Sequence, residues 1–185
     1  LRRHGFPYPR IEEEQAKHFL ESIAKSDGAT ISNQEILHKG HSSPFMKSFH
    51  PQMYDMNRKG SLSFVSIFRD DNMLKDVIRR SLIDGELPDR NNIRRQISKY
   101  RGNRGVSIFP LHSALSIYNE FCVPNGTSID FCAGFGGRML GAYFSKKVDK
   151  YYACEPNTDT FRGLSRMLDC VKEYVVSRAS PEVKK

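Results

Sequence analysis

Apolar side chains recur along this chain at two different spacings, and the change of spacing falls near residue 106. Before it, the repeats are helical. Ile11, Phe19, Leu20 and Ile23 follow the acidic turn Glu12-Glu13-Glu14, which suits the positive end of a helix dipole, and Gly28 is placed to end that helix. Ser32-Asn33-Gln34-Glu35 has the form of a capping box and predicts a short second helix stopped at Gly40. From Ser42 to Gly60, Pro44, Pro51, Phe45, Phe49, His50 and Tyr54 follow no period, which predicts irregular chain. Phe64-Val65-Ser66-Ile67-Phe68 reads as a buried extended segment. Leu74, Val77, Ile78 and Leu82 then give one helical face, capped by Asp70 or Asp71 and ended by Gly85 and Pro88. A last helix, Asn91 to Tyr100, buries Ile93 and Ile97 and turns a basic face outward.

After residue 106, helix and strand patterns alternate. Pro110 opens a helix with Leu111, Ala114, Leu115 and Tyr118 on its inner face, and Asn125-Gly126 makes the following turn. Ser128 to Cys132 is a short apolar strand that ends in Ala133-Gly134-Phe135-Gly136-Gly137. Met139, Leu140 and Tyr143 predict a helix, and Tyr151 to Cys154 a second strand. Phe161, Leu164, Met167, Leu168 and Val171 predict another helix, and Tyr174-Val175-Val176 a third strand. The order β-α-β-α-β is that of an α/β fold with a parallel sheet. The expected organisation is a helical, basic N-terminal region over 1–105 and a half-domain of three parallel strands over 106–185.

Composition narrows the partners. The 185 residues carry 29 Lys and Arg against 21 Asp and Glu, a net charge of +8, with 38% hydrophobic residues and no tryptophan. No apolar run approaches the length of a membrane span, so no membrane partner is expected. The start, Leu1-Arg2-Arg3-His4-Gly5-Phe6-Pro7, has no apolar stretch behind its charges, which predicts a cytoplasmic chain. Cys122, Cys132, Cys154 and Cys170 form no C-x-x-C pair and read as reduced, packed thiols. The spacing of His38, His41 and His50 around Gly40 suits no metal, so none is expected. Ten basic against six acidic side chains lie between positions 69 and 104. Within that stretch Arg94, Arg95, Lys99, Arg101 and Arg104 follow one another without an acid, and Tyr100 is interleaved. Such a run can hold phosphates by charge and stack a base, which makes DNA the expected partner; a solvated helix face is the plainer alternative.

The remaining chemistry lies at the strand ends. A glycine-rich turn leaving a parallel strand lets the backbone approach a ligand and aims free amides at it from the helix N-terminus. Gly134, Gly136 and Gly137 supply that freedom, with Asp130 near the end of the strand before them. Glu155 directly follows the second strand, 21 positions after Gly134, where a carboxylate can accept hydrogen bonds from both hydroxyls of a ribose. An ordinary tight turn for the glycines, and a helix-start carboxylate beside the cap Asn157 or Thr158, are the alternatives. Cys132 has no base placed beside it and reads as a packing residue rather than a nucleophile.

Asp130-Phe131-Cys132-Ala133-Gly134-Phe135-Gly136-Gly137-Arg138 resembles motif I of S-adenosylmethionine-dependent DNA methyltransferases, of the amino-methylating (adenine-N6 or cytosine-N4) type carried by phages and restriction-modification systems. Glu155-Pro156-Asn157 looks like the acidic motif II that holds the ribose. Ser107-Ile108-Phe109-Pro110-Leu111 is similar to the F-x-P segment at the cofactor's methionine end, although here Phe109 directly abuts Pro110. Ser177 to Glu182 stands where motif III would follow a third strand. The resemblance covers about residues 106–182 and is closest over 128–168. It implies a Rossmann-like class I methyltransferase fold, S-adenosyl-L-methionine as cofactor, DNA methylation on a flipped base, and a binding site that includes Phe109, Asp130, Cys132, Ala133, Gly134, Phe135, Gly136, Gly137, Glu155, Pro156 and Asn157.

The family's catalytic tetrapeptide, a polar residue followed by Pro-Pro and an aromatic, does not occur in this sequence, so no catalytic residue is named. The expectation is that a C-terminal segment or a second chain completes the fold. Two alternatives stay open. One is a noncatalytic methyltransferase-like module that binds DNA or a partner. The other is an RNA or cytosine-C5 enzyme, although the Pro-Cys nucleophile of the latter is missing.

Overall fold

The computed structural model describes residues 2–28, 30–32, 35–37, 44–57, 59–100 and 105–179. In chain order the elements are α1 (Glu13–Ala24), β1 (Thr30–Ser32), β2 (Glu35–Leu37), α2 (Pro44–Ser48), α3 (Phe64–Arg69), α4 (Asp71–Ile83) and α5 (Arg90–Lys99). They continue with α6 (Leu111–Phe121), β3 (Gly126–Asp130), α7 (Gly137–Phe144), β4 (Val148–Ala153) and α8 (Thr158–Ala179). The result is a mixed α/β chain, mostly helical, that divides into two compact units: Leu1–Pro9 with Pro51–Ser107, and Arg10–His50 with Ile108–Lys185. Among the described residues no helix is long and apolar enough to cross a membrane.

In the first unit, three capped helices close on one core. Ser63 accepts the Ser66 N–H at 3.0 Å and starts α3, Asp70 accepts from Asn72 and Met73 to start α4, and Asp89 does the same for α5. Val65, Ile67, Phe68, Val77, Ile93 and Ile97 are buried together with the rings of Phe6 and Tyr54. Residues 64–68 are thus helical where an extended segment was expected. Val65 and Ile67 alternate as in a strand, but Phe68 is buried as well, and the Ser63 cap decides for helix. Asp70 and Ile93/Ile97 stand where the pattern placed them.

In the second unit, β3 and β4 run parallel, with Ser128 opposite Tyr151, Ile129 opposite Tyr152 and Asp130 opposite Ala153. Leu111, Ala114 and Leu115 of α6 and Leu140 and Ala142 of α7 are buried, as are Leu164, Met167 and Val171 of α8. Three expectations are corrected here. Ser32 and Glu35 belong to an antiparallel pair with Ile31 opposite Ile36, not to a helix start, because the β-branched Thr30, Ile31 and Ile36 favour extended chain; Asn33, Gln34 and Gly40 lie outside the described residues. The stretch 42–60 includes the short helix α2 in this unit and, in the first unit, a 3-10 turn at Pro51–Tyr54. Tyr174–Val176 is helical, so β3 and β4 are the only parallel strands among the described residues, where three were expected. The 3- and 4-residue spacing of Leu164, Met167 and Val171 extends to Tyr174 and carries α8 past the two β-branched valines. Ser177 therefore follows no strand, and residues 180–182 of the same segment lie outside the described residues.

Candidate functional site

The C-terminal ends of β3 and β4 meet the glycine-rich turn. Cys154 donates its N–H to the Asp130 carbonyl, and Ala133 donates to the Cys154 carbonyl, both at 2.9 Å, so the ladder extends one step into the turn. Gly134 (φ +59°) and Gly136 (φ +86°) hold left-handed conformations that a side chain disfavours. The three glycines do different work. A Cβ on Gly136 would lie 2.1 Å from the Met167 methyl, and one on Gly137 would lie 1.9 Å from the Phe109 carbonyl. Both positions are glycine because neighbouring elements pack against them. Around Gly134 the nearest atom to a Cβ would be 3.8 Å away, so no neighbouring element presses on this backbone.

Glu155 ties the turn to the second strand. One carboxylate oxygen accepts the Gly134 N–H at 2.8 Å and the other accepts the Asn157 N–H at 3.0 Å. Asn157 in turn caps α8 by accepting the Thr160 N–H at 2.9 Å. The carboxylate and the glycine turn, 21 residues apart in sequence, form one clasp. Pro156 is exposed beside it, and Ala133 is buried under it.

Asp130 points inward. Its carboxylate accepts from Arg138 Nε at 2.7 Å, from the Tyr151 hydroxyl at 2.6 Å and from the Cys132 N–H at 3.0 Å. Burial works against its charge, but these three donors outweigh burial and hold its carboxyl below the usual carboxylate range. Burial, reinforced by Asp130, pushes the Tyr151 hydroxyl far up. Arg138 also donates to the exposed Cys132 carbonyl and lies over the Phe109 ring, 5.3 Å from its centroid. The segment before α6 is thereby held at the same turn as Asp130 and Gly137. Phe135 packs edge-on against His50, whose centroid is 5.3 Å away. Tyr151 and His50 belong to this cluster although no motif included them, and Arg138, which closes the motif I run, belongs to it without having been among the expected binding residues. Arg138 and Tyr151 had a sequence signal in the nearby unpaired Asp130, whereas His50 had none.

A groove of about 590 Å³ opens from Ala133 and Glu155 along β4, between α7 and α8. Its walls are mainly apolar, with Asp149, Glu155, Ser165 and Lys172 and the hydroxyls of Tyr143 and Tyr151 as polar members.

The basic helix α5 lies in the other unit. Arg94 is half-buried and donates to the Pro7 carbonyl and to Asn91. Arg95 pairs with Glu86, Lys99 lies 3.9 Å from Asp84, and Arg80 covers the Tyr100 ring at 5.4 Å. Arg101 and Arg104 lie outside the described residues, as do His38 and His41. Comparisons with protein-family models, with curated proteins and with solved structures find no match to this chain.

Proposed function

We propose that this chain carries the S-adenosyl-L-methionine-binding part of a Rossmann-like methyltransferase that acts on DNA at adenine N6 or cytosine N4. The observation that carries the reading is the clasp between Gly134 and Glu155 at the ends of two parallel strands. It brings an open glycine backbone and a carboxylate to one place, as an adenosine ligand requires. Gly134 is the position with room for the ligand, and Glu155 is the residue that would receive a ribose. Arg138, Asp130 and Tyr151 hold the turn in shape from beneath, and Phe109 borders it. The cofactor's sulfonium supplies an activated methyl group when bound, so these residues contribute binding and orientation.

The test is calorimetry with S-adenosylhomocysteine. Saturable binding is expected, weakened about tenfold or more by Glu155→Ala, as losing charge-assisted hydrogen bonds implies. No heat of binding to the folded chain would sink the reading. A second reading, a noncatalytic module, is favoured by the fact that both Glu155 oxygens already have partners within the chain. It predicts no binding of S-adenosylhomocysteine by the folded chain.

A further inference from the structure

We propose that a pocket of the first unit, lined by Gly5, Phe6, Tyr8, Val65, Phe68 and Arg69, holds an unstacked base of single-stranded DNA with its phosphate on Arg69. The inference rests on the reading that the chain acts on DNA. Charge selects the partner. The first unit carries fourteen Lys and Arg against seven Asp and Glu, a net +7 of the chain's +8, whereas the second carries fifteen against fourteen. The excess that a polyanion would neutralise therefore belongs almost wholly to the unit that contains this pocket.

The walls select which part of the polyanion enters. Phe6, Val65 and Phe68 are buried, and the Phe6 ring lies 4.9 Å from that of Tyr8 and 5.5 Å from that of Phe68. Tyr8 is half-buried at the rim and meets Phe6 at 66° and Tyr54 at 74°, so neither contact is a parallel stack on its ring. Its hydroxyl donates to Asp55 at 3.4 Å. Burial first, and Asp55 next, raise the Tyr8 pKa, so the phenol stays neutral beside a phosphate; the Arg69 charge acts in the opposite sense and is thus within electrostatic reach of the same hydroxyl. Arg69 is exposed at the end of α3. At about 370 Å³ the pocket falls in the size range of small-ligand sites. A base of any identity stacks on aromatic walls, and a guanidinium fork matches a phosphate. A purely apolar ligand would make no use of Arg69, and a paired base stays inside its duplex. An unstacked base with its phosphate uses walls and rim together.

Photocrosslinking on the full chain tests it, with a single-stranded oligodeoxynucleotide that carries one 4-thiothymidine as probe. Irradiation is expected to attach the bound strand to the peptide containing Phe6 and Tyr8 or to the one containing Phe68, and excess unmodified strand should suppress the attachment. Tyr8→Ala should weaken single-strand binding by about tenfold and leave binding of the fully paired duplex close to the parent's. Arg69→Ala, at an exposed position, should lower the slope of log affinity against log salt by about 0.7, and it keeps the test should the tyrosine variant unfold. Parental single-strand binding by both variants, with crosslinks only outside the pocket, overturns the proposal and leaves the DNA reading standing. A chain that binds neither single strand nor duplex overturns both. Thymidine monophosphate that binds as tightly as the oligonucleotide, and loses as much on Tyr8→Ala, would assign the pocket to free nucleotides and also overturns it.

Discussion

The imidazole of His50 stands edge-on to the ring of Phe135, with centroids 5.3 Å apart and planes at 71°. A fully buried titratable group therefore touches the turn that carries Gly134 and Gly136. Gly163 lies against its other side, where a Cβ would come within 2.4 Å of Nδ1.

Stability should fall in mild acid because of this residue. Burial first, and the Arg166 charge second, lower the His50 pKa from 6.5 to about 4. Between those values the unfolded chain takes up a proton that the folded chain refuses. Stability is therefore complete above about pH 6.5 and drains away as the pH falls toward 4, by about 3 kcal/mol. Urea midpoints measured across that range should decline for the parent chain and stay nearer level for His50→Gln. Parallel slopes for the two proteins would remove His50 as the cause. If the turn binds S-adenosylhomocysteine as proposed, that binding should weaken over the same interval, since Phe135 belongs to the turn.

The glycines of the turn should separate in their cost. Gly137→Ala drives a Cβ to 1.9 Å from the Phe109 carbonyl, a backbone atom that can retreat only by moving the segment before α6. A loss of about 3 kcal/mol or more is expected. Gly134→Ala meets no atom closer than 3.8 Å and suffers only its positive φ, about 1 kcal/mol. Equilibrium unfolding of both variants checks the order, and equal costs would mean that the two glycines are not distinguished by packing.

How much of this was legible beforehand depended on whether one element alone carried the signal. The caps Asp70 and Asp89 and the stripe Ile93/Ile97 are local, and the strand-turn-helix around Gly134 is nearly so. Glu155 could be paired with Gly134 because the interval between strand ends is fixed by the helix between them. Failure came where two periods overlapped. Val175 and Val176 follow a helical repeat strong enough to override their β-branching, so a third strand was read into α8. Arg94 counts among the phosphate-holding run by sequence because nothing in a sequence shows that the Pro7 carbonyl, 87 residues away, receives it. His50 and Phe135 meet only through the folding of the chain, as do Arg138 and Phe109.

Tyr151→Phe removes a hydroxyl that donates to the Asp130 carboxylate at 2.6 Å. Asp130 keeps Arg138 and the Cys132 N–H, so the loss should be about 1–2 kcal/mol at neutral pH. Because the folded carboxyl lies below its ordinary value of 3.8, its contribution is present above that value and is lost as the pH falls through the folded pKa. The stability difference between Tyr151→Phe and the parent should therefore shrink in strong acid. A difference that is constant from neutral to strongly acidic pH would show that the hydroxyl does not act through Asp130.

Nucleic-acid contact by α5 calls for variants that spare the fold. Arg94 is half-buried and donates to the Pro7 carbonyl, so Arg94→Ala should lower stability by about 1–2 kcal/mol and say little about binding. Arg95 and Lys99 are exposed, and their ion pairs with Glu86 and Asp84 are of the solvated kind that contribute little and yield readily to a phosphate. If the helix holds a DNA backbone, Arg95→Glu combined with Lys99→Glu should abolish a salt-sensitive gel shift while leaving the melting curve close to the parent's. Arg95→Ala combined with Lys99→Ala, which removes two phosphate contacts without adding repulsion, should reduce the dependence of log affinity on log salt by about two. An unchanged shift with both double variants would return the basic run to the role of a solvated helix face.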